Sequence, residues 1–269
     1  MFSFRVLGQV FGVSCTDPEL GELIRANWAR MESCRAQPAT VFTISKEPSG
    51  AISLLRPGRP LLWLADSGEL LHQVECEVVV GLQERRPDLY FVHAAAVEYR
   101  GAAQLFVAES GAGKSTTVWA LLHHGFRYLS DELAPIDVAR MEVHAYPHAL
   151  CLKRSPPVPY VLPAETFHTS RTAHVPVASL PLTAMADAYP LAALWFLAYD
   201  PSARGPLVHA ITPAEASARL YANALNQLAH PNAGLDAAVK IARSIPSFVL
   251  ASADLTATCE LICSTITPT

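Results

Sequence analysis

The 269-residue sequence lacks the features that mark nucleic-acid-binding and membrane proteins. Its 20 Lys and Arg are outnumbered by 24 Asp and Glu, and it has no run of basic residues that would suit a nucleic acid or an anionic membrane surface. No stretch approaches the roughly 20 unbroken apolar residues that a membrane-spanning helix needs. The opening MFSFRVLGQVFGVSC contains Arg5 and has no basic region before it, so it is not typical of a secretory signal. We therefore expect a soluble cytoplasmic protein that binds neither nucleic acid nor membrane.

The six cysteines are scattered along the chain and form no cluster in the sequence. The closest pair, Cys259 and Cys263, is spaced four apart on a predicted helix, which fits neither a zinc site nor a redox motif. We interpret the cysteines as small, largely buried apolar residues of a reducing compartment.

Charged residues make up only 16% of the chain and hydrophobic residues 51%, which indicates a folded globular protein. The length allows one large domain, or one domain with a smaller lobe. We predict a small α+β lobe over residues 1–86 and the main domain over residues 87–269. Strands of the lobe are expected at Phe4–Val10, Val41–Ile44 and Leu61–Leu64.

Two helices are predicted in the same lobe. The first follows Thr16 as its N-cap, with Pro18 in the first turn, and the second covers Leu70–Arg86, where apolar residues recur at nearly helical spacing. Proline clusters between Arg154 and Ala184 predict an irregular segment with short strands instead of a long helix.

The main domain begins with a change of pattern at Leu89. The runs LYFVHAAAV and AAQLFVAE flank the turn EYRG and predict a β-hairpin, which is followed by the helix STTVWALLHHG and the strand FRYLSDELAPI, broken near Pro135. Leu191–Asp200 is a nearly continuous apolar run, as in a strand buried on both faces, and Thr212 opens a capping box for a helix. These units predict an α/β fold with a mixed sheet, because the hairpin argues against a purely parallel one.

A glycine-rich loop, AESGAGKST, stands between the predicted strand and helix. It matches the phosphate-binding pattern G-x-x-x-x-G-K-[ST] except for Ala108 at the first position. In such a loop, backbone N–H groups converge on phosphate oxygens, Lys114 reaches the β and γ phosphates, and the Ser115 hydroxyl binds Mg²⁺. The predicted nucleotide-binding residues are therefore Ser110, Gly111, Ala112, Gly113, Lys114, Ser115 and Thr116.

Two acids follow the loop at the end of the next predicted strand. Asp131 and Glu132 lie sixteen and seventeen positions beyond Ser115, where that strand is expected to run beside the loop strand and deliver both carboxylates to the phosphate site. A carboxylate there can hold Mg²⁺ or take a proton from an attacking hydroxyl. We predict Asp131 as the general base and Glu132 as a metal ligand alongside Ser115.

His93 lies in an apolar strand before the loop. On its own it has two interpretations, a core histidine with satisfied hydrogen bonds or a member of the site. No other histidine stands at a spacing typical of metal ligands.

The segments HAAAV, GAAQLFVAESGAGKSTT and GFRYLSDE together resemble the HPr kinase/phosphorylase family, whose nucleotide-binding core is shared with phosphoenolpyruvate carboxykinases. The similarity covers about residues 91–137 and is greatest to HPr-kinase-related kinases, some of which phosphorylate a serine of a ribosomally made peptide. It implies a mixed-sheet P-loop core of that type, preceded by a small N-terminal α+β lobe. It also implies ATP and Mg²⁺ as cofactors and a peptide or protein serine as the phosphate acceptor.

Roles for individual residues also follow from the resemblance. It assigns catalysis to His93, Lys114 and Asp131, and the metal to Ser115 and Glu132. The glycine-rich C-terminal segment of the HPr-acting enzymes is absent, so the resemblance does not predict HPr as substrate or a reverse phosphorylase reaction. Lys153, Arg154 and Arg171 are further candidates for contacts to phosphate or acceptor, with a solvated basic surface as the alternative.

Other functions compete with a kinase. A transport or motor ATPase can carry the same loop, but the sequence has no L-S-G-G-Q signature, and Pro201 follows Asp200 where such enzymes place a catalytic Glu. A nucleotide sensor or peptide-binding module could retain the loop without the chemistry, and a kinase could act on the hydroxyl of a small molecule. A homo-oligomer is compatible with the sequence.

Overall fold

The structure, a computed structural model, describes residues 1–33, 37–200 and 202–266. By its internal contacts the chain divides into two compact units. The first unit combines residues 1–86 with the later segments 147–155 and 162–179, and the second unit comprises residues 87–146, 156–161 and 180–269. The predicted division into two contiguous domains stays a prediction.

The N-terminal part of the first unit is a five-stranded sheet with two helices. Its elements in chain order are β1 Phe2–Val6, β2 Gln9–Cys15, α1 Pro18–Trp28, β3 Thr40–Lys46, β4 Ile52–Leu55, β5 Leu62–Leu64 and α2 Ser67–Arg85. The strands follow the order of the chain from β1 to β5, with β2 and β3 parallel and the other neighbours antiparallel. A turn at Leu7 and Gly8, both at positive φ, divides the predicted strand Phe4–Val10 between β1 and β2.

One face of this sheet carries the core of the first unit. The rings of Phe4 and Phe11 stack at 5.6 Å, and Phe4 also stacks on Trp28 of α1 at 5.1 Å. Phe4 and Phe11 are directly opposite each other in β1 and β2, so they lie on the same face of the sheet, and both rings and that of Trp28 are fully buried.

The prediction that Thr16 caps α1 is wrong. The cap is Asp17, whose carboxylate accepts a hydrogen bond from Leu20 N at 2.9 Å, while Thr16 N bonds to the carbonyl of Ile44 in β3. Thr16 thus continues the sheet, and the carboxylate next to Pro18 begins the helix. Helix α2 is capped in the same way by Asp66, which accepts from Glu69 N at 2.8 Å.

The chain then enters the second unit. Its first elements are β6 Tyr90–Val92, β7 Ala94–Tyr99, β8 Ala102–Val107, α3 Lys114–Leu122, β9 Arg127–Ser130, β10 Ala134–Asp137 and β11 Glu142–His144. The predicted hairpin is present, with Arg100 and Gly101 at positive φ between β7 and β8. The break predicted near Pro135 falls earlier, between β9 and β10, and Pro135 itself pairs with Phe91 of β6.

Residues 147–179 contain the short strands expected from the proline clusters. They form a small antiparallel sheet of β12 Leu150–Leu152, β13 Phe167–His168 and β14 Ala173–Val175.

The remaining elements complete the second unit. They are β15 Ala188–Tyr199, β16 Leu207–Ala210, α4 Pro213–Ala222, α5 Leu235–Ser244, β17 Ser247–Ser252 and α6 Leu255–Ile266. Thr212 caps α4 as predicted, its hydroxyl accepting from Glu215 N at 3.3 Å. The patterns did not predict β16 or α5.

These strands build a nine-stranded sheet in the order β6-β10-β11-β15-β8-β7-β9, with β17 on β15 and β16 on β17. The long strand β15 lies parallel to both β8 and β17, and the other pairs are antiparallel. The predicted α/β class with a mixed sheet is therefore confirmed. In the described part of the chain, no helix has both the length and the apolar character needed to cross a bilayer.

Candidate functional site

The order of three neighbouring strands brings the predicted site residues together at one end of those strands. Strand β7 lies between β8 and β9 and is antiparallel to both, so its first residues face the last residues of each. Ala94 pairs with Val107 at the end of β8, and Ala96 pairs with Ser130 at the end of β9. His93 comes just before β7, the glycine-rich loop just after β8, and the two acids just after β9.

This arrangement corrects one step of the prediction. Strand β9 was expected beside the loop strand, but β7 separates them. The acids still reach the loop, because two strands that are both antiparallel to a third point the same way. The intervening strand also places His93 between the loop and the acids.

The loop leaves open space at the N-terminus of α3. Gly111 and Gly113 have φ of 90° and 89°, a left-handed conformation that favours glycine, and a Cβ added at either would meet nothing within 4 Å. Gly113 caps the helix, and its carbonyl accepts from Thr117 N at 2.8 Å. The N-terminal N–H groups of the helix are thus directed toward space that a phosphate could fill.

Alanine at the first position of the loop pattern fits its surroundings. Ala108 is 6% exposed at the end of β8 and is not at positive φ, so no glycine is required there. Glu109 beside it is exposed to solvent.

Lys114, His93 and Glu132 form one contact cluster. The Nζ of Lys114 lies 3.0 Å from Nε2 of His93 and 3.7 Å from Oε2 of Glu132. The other ring nitrogen of His93, Nδ1, lies 3.4 Å from the same Glu132 oxygen. An ammonium group can only donate, so this network assigns Nε2 of His93 as an acceptor and the ring proton to Nδ1, where it faces the carboxylate.

Exposure differs within the cluster and between the two acids. The Lys114 side chain is 7% exposed, whereas those of His93 and Glu132 are each 33% exposed. Asp131, next to Glu132 in the chain, is fully buried. A ligand approaching the loop from solvent therefore meets His93 and Glu132 directly and Asp131 only after neighbouring atoms move.

Sequence reasoning missed the segment that holds the backbone of β6 and His93. The helix that begins after Thr212 ends at Ala222, and the chain then runs along β6. Asn223 O accepts from His93 N at 2.8 Å. The Asn226 side chain accepts from Phe91 N at 2.9 Å and donates to Leu89 O at 2.8 Å. Asn223 and Asn226 were the available signal in the sequence for the end of the helix, because asparagine is unfavourable in a helix interior.

The residues present fit a magnesium nucleotide. The open loop and Lys114 suit the phosphates, and Ser115, the second residue of α3, is partly exposed beside them. Among the described residues, no three or more His, Cys, Asp or Glu side chains are grouped so as to hold a metal ion alone. A cation here would instead take Ser115 and a carboxylate together with phosphate oxygens, as is usual for Mg²⁺.

The remaining sequence candidates are three basic residues and the cysteines. Lys153, Arg154 and Arg171 belong to the first unit, and their contact with phosphate or acceptor stays a prediction. The described cysteines are free thiols, and burial raises the pKa of Cys259 to about 12, as expected for an apolar core residue. Cys34 lies outside the described residues.

Comparison with known proteins found similarity to solved structures but not to family models or curated sequences. No protein-family model matches the chain, and no curated protein sequence does. A solved structure of the HPr(Ser) kinase/phosphatase from Coxiella burnetii is similar to it, with 12% sequence identity and a TM-score of 0.32. The similarity covers 65% of this chain and 92% of that one.

Proposed function

We propose that the protein is a Mg-ATP-dependent kinase that transfers the γ-phosphate to a hydroxyl, with a serine of a peptide or protein as the acceptor. The observation that carries this proposal is the cluster at the open glycine loop, where Lys114 Nζ lies 3.0 Å from His93 and 3.7 Å from Glu132. A loop that only anchors a nucleotide needs the glycines and the lysine. A histidine and a carboxylate against that lysine add groups able to act on the phosphate or on the acceptor.

Binding is assigned to the loop from Ser110 to Thr116. Its backbone N–H groups and the N-terminus of α3 would hold the phosphates, and Lys114 would turn from His93 toward the β and γ oxygens. Ser115 and Glu132 would hold Mg²⁺, which when bound neutralises charge on the phosphates. His93 would then face the transferred group with its Nε2.

The reaction needs one proton acceptor. The hydroxyl oxygen of the acceptor forms a bond to the γ-phosphorus, the bond from that phosphorus to the β-bridging oxygen breaks, and the hydroxyl proton moves to a carboxylate. Asp131 is proposed for this role on the family resemblance, and its burial means that the acceptor must displace neighbouring atoms to reach it. The greater exposure of Glu132 instead favours Glu132 as the base. Variants of each acid distinguish these two assignments.

The acceptor is tested with a degenerate peptide library. The library carries serine at one fixed position, and a second library carries alanine there as the matched control. With γ-labelled ATP and Mg²⁺, we expect label on the serine library, none on the alanine library, and none with the Lys114→Met variant.

Each competing function predicts a different fate for the label. Label found only as inorganic phosphate would indicate an ATPase. Label on small hydroxyl compounds but not on peptides would indicate a small-molecule kinase. ATP that binds and stays intact would indicate a nucleotide sensor.

A further inference from the structure

The edge strand β5 has an unusual composition for an open edge. Among the described residues it pairs only with β4, at the end of the five-stranded sheet, and the chain from Leu61 to Leu64 reads LLWL. Sheet edges with such sequences are normally covered or protected by charge, because they attract another strand. The open edge of β5 is therefore a candidate site for pairing with a further strand.

The register shows which backbone groups face the open side. Glu47 N bonds to Ala51 O in the hairpin between β3 and β4, so alternation makes Ser53 bond to β3 and Ile52 and Leu54 bond to β5. Their partners in β5 are Leu64 and Leu62. The intervening Trp63 thus points both its N–H and its C=O away from the sheet, toward an added strand.

Apolar side chains surround the same position. Trp63 is 59% exposed, Leu55 is 48% exposed and Leu61 is 45% exposed. Trp63 lies opposite Ser53, and Leu55 follows Ser53 by two residues in β4, so both project from the sheet face opposite the phenylalanine core. Together they form an exposed apolar strip, defined here as Leu55, Leu61 and Trp63.

The charges at the two ends of β5 are opposite in sign. Before the strand stand Arg56, which pairs with Glu77, and Arg59, which is exposed. After it stand Asp66 and Glu69. Hydrogen bonds from the Ser170 hydroxyl and from Glu69 N, and to a smaller extent the nearby Arg171 guanidinium, lower the pKa of the Asp66 carboxyl. Among these residues, those before the strand sum to one positive charge and those after it to one negative charge.

We infer that β5 pairs with β5 of a second copy of this chain, antiparallel about a two-fold axis at Trp63. In that arrangement each Trp63 exchanges both backbone hydrogen bonds with Trp63 of the other copy, and the apolar strips adjoin across the axis. Antiparallel pairing also brings Arg59 of one copy to the end where the other carries Asp66 and Glu69. An edge with opposite charges at its ends is complementary to itself only in this orientation, which favours a second copy over an unrelated peptide.

The position of Trp63 on the axis allows a sharp test. Sedimentation velocity of the full chain at micromolar to high-micromolar concentration is expected to show a species of twice the 29.0 kDa chain mass. Trp63→Arg and Trp63→Glu should each sediment as a monomer, because like charges then face each other across the axis. An equimolar mixture of the two variants should again sediment as a dimer.

Two controls keep the result clear. Leu228→Arg alters another exposed leucine, 94% exposed in the second unit, and should leave the dimer intact. Circular dichroism of the Trp63 variants should match the unaltered chain, because this side chain is mostly outside the core. A monomeric unaltered protein, a dimer that survives Trp63→Arg, or a mixture that stays monomeric would each overturn the inference. None of these outcomes depends on the kinase proposal.

Discussion

Gly113→Ala, compared with Gly125→Ala, distinguishes the free-energy cost of left-handed backbone from a loss of nucleotide binding. Gly113 has φ of 89°, and Gly125, just beyond the C-terminal end of the same helix, has φ of 88°. An added Cβ meets nothing within 4 Å at either position, so steric clash contributes to neither variant. Left-handed backbone costs a non-glycine residue about 1–2 kcal/mol, and we expect both variants to lose about that much free energy of unfolding.

Nucleotide binding should distinguish the two variants. At Gly113 the new methyl group stands in the open loop that we assign to phosphate, so ATP affinity should fall at least tenfold, equivalent to about 1.4 kcal/mol. At Gly125 the affinity should not change. Chemical unfolding gives the stability of each variant, and calorimetric titration with Mg-ATP gives the affinity. Equal affinities in Gly113→Ala and Gly125→Ala would refute the assignment of this loop to phosphate.

Two further predictions concern buried polar groups. Burial, with a smaller contribution from nearby His148 and His168, lowers the pKa of His174 from 6.5 to about 4, so below about pH 6.5 the unfolded chain binds a proton that the folded chain does not. Stability should fall by up to about 3 kcal/mol between pH 6.5 and 4, and His174→Gln should flatten this dependence in denaturant titrations, whereas His209→Gln at an exposed position should keep its slope. Asn226→Leu leaves Phe91 N without its partner, while Leu89 O keeps His230 Nε2 at 3.1 Å, so the free energy of unfolding measured by chemical denaturation should fall by about 1–3 kcal/mol.

The hairpin, the glycine loop and helix α3 could be predicted because their signals are local. Positive φ at Arg100 and Gly101, and at Gly113 and Gly125, falls where the chain turns and where the helix begins and ends. These positions carry turn and glycine residues that a sequence reader can recognise directly.

Features set by distant parts of the chain could not be predicted in the same way. Strand order in a sheet depends on packing between remote segments, and it placed β7 between β8 and β9. The burial of Asp131 beside the partly exposed Glu132 also follows from tertiary packing, since adjacent acids look equivalent in the sequence. The hydrogen bonds from Asn226 to the backbone of β6 and Leu89 join residues more than a hundred positions apart in the sequence.

The central claim is that the two acids after β9 take part in transferring a phosphate of the nucleotide held by the glycine loop. It is tested most directly by measuring label transfer and ATP binding side by side for the unaltered protein, Asp131→Asn and Glu132→Gln, on the acceptor that the library identifies. Loss of a general base commonly lowers the rate by about 10²–10⁴, so we expect a fall of that size in at least one variant that still binds ATP. Transfer at the unaltered rate in both variants would contradict it.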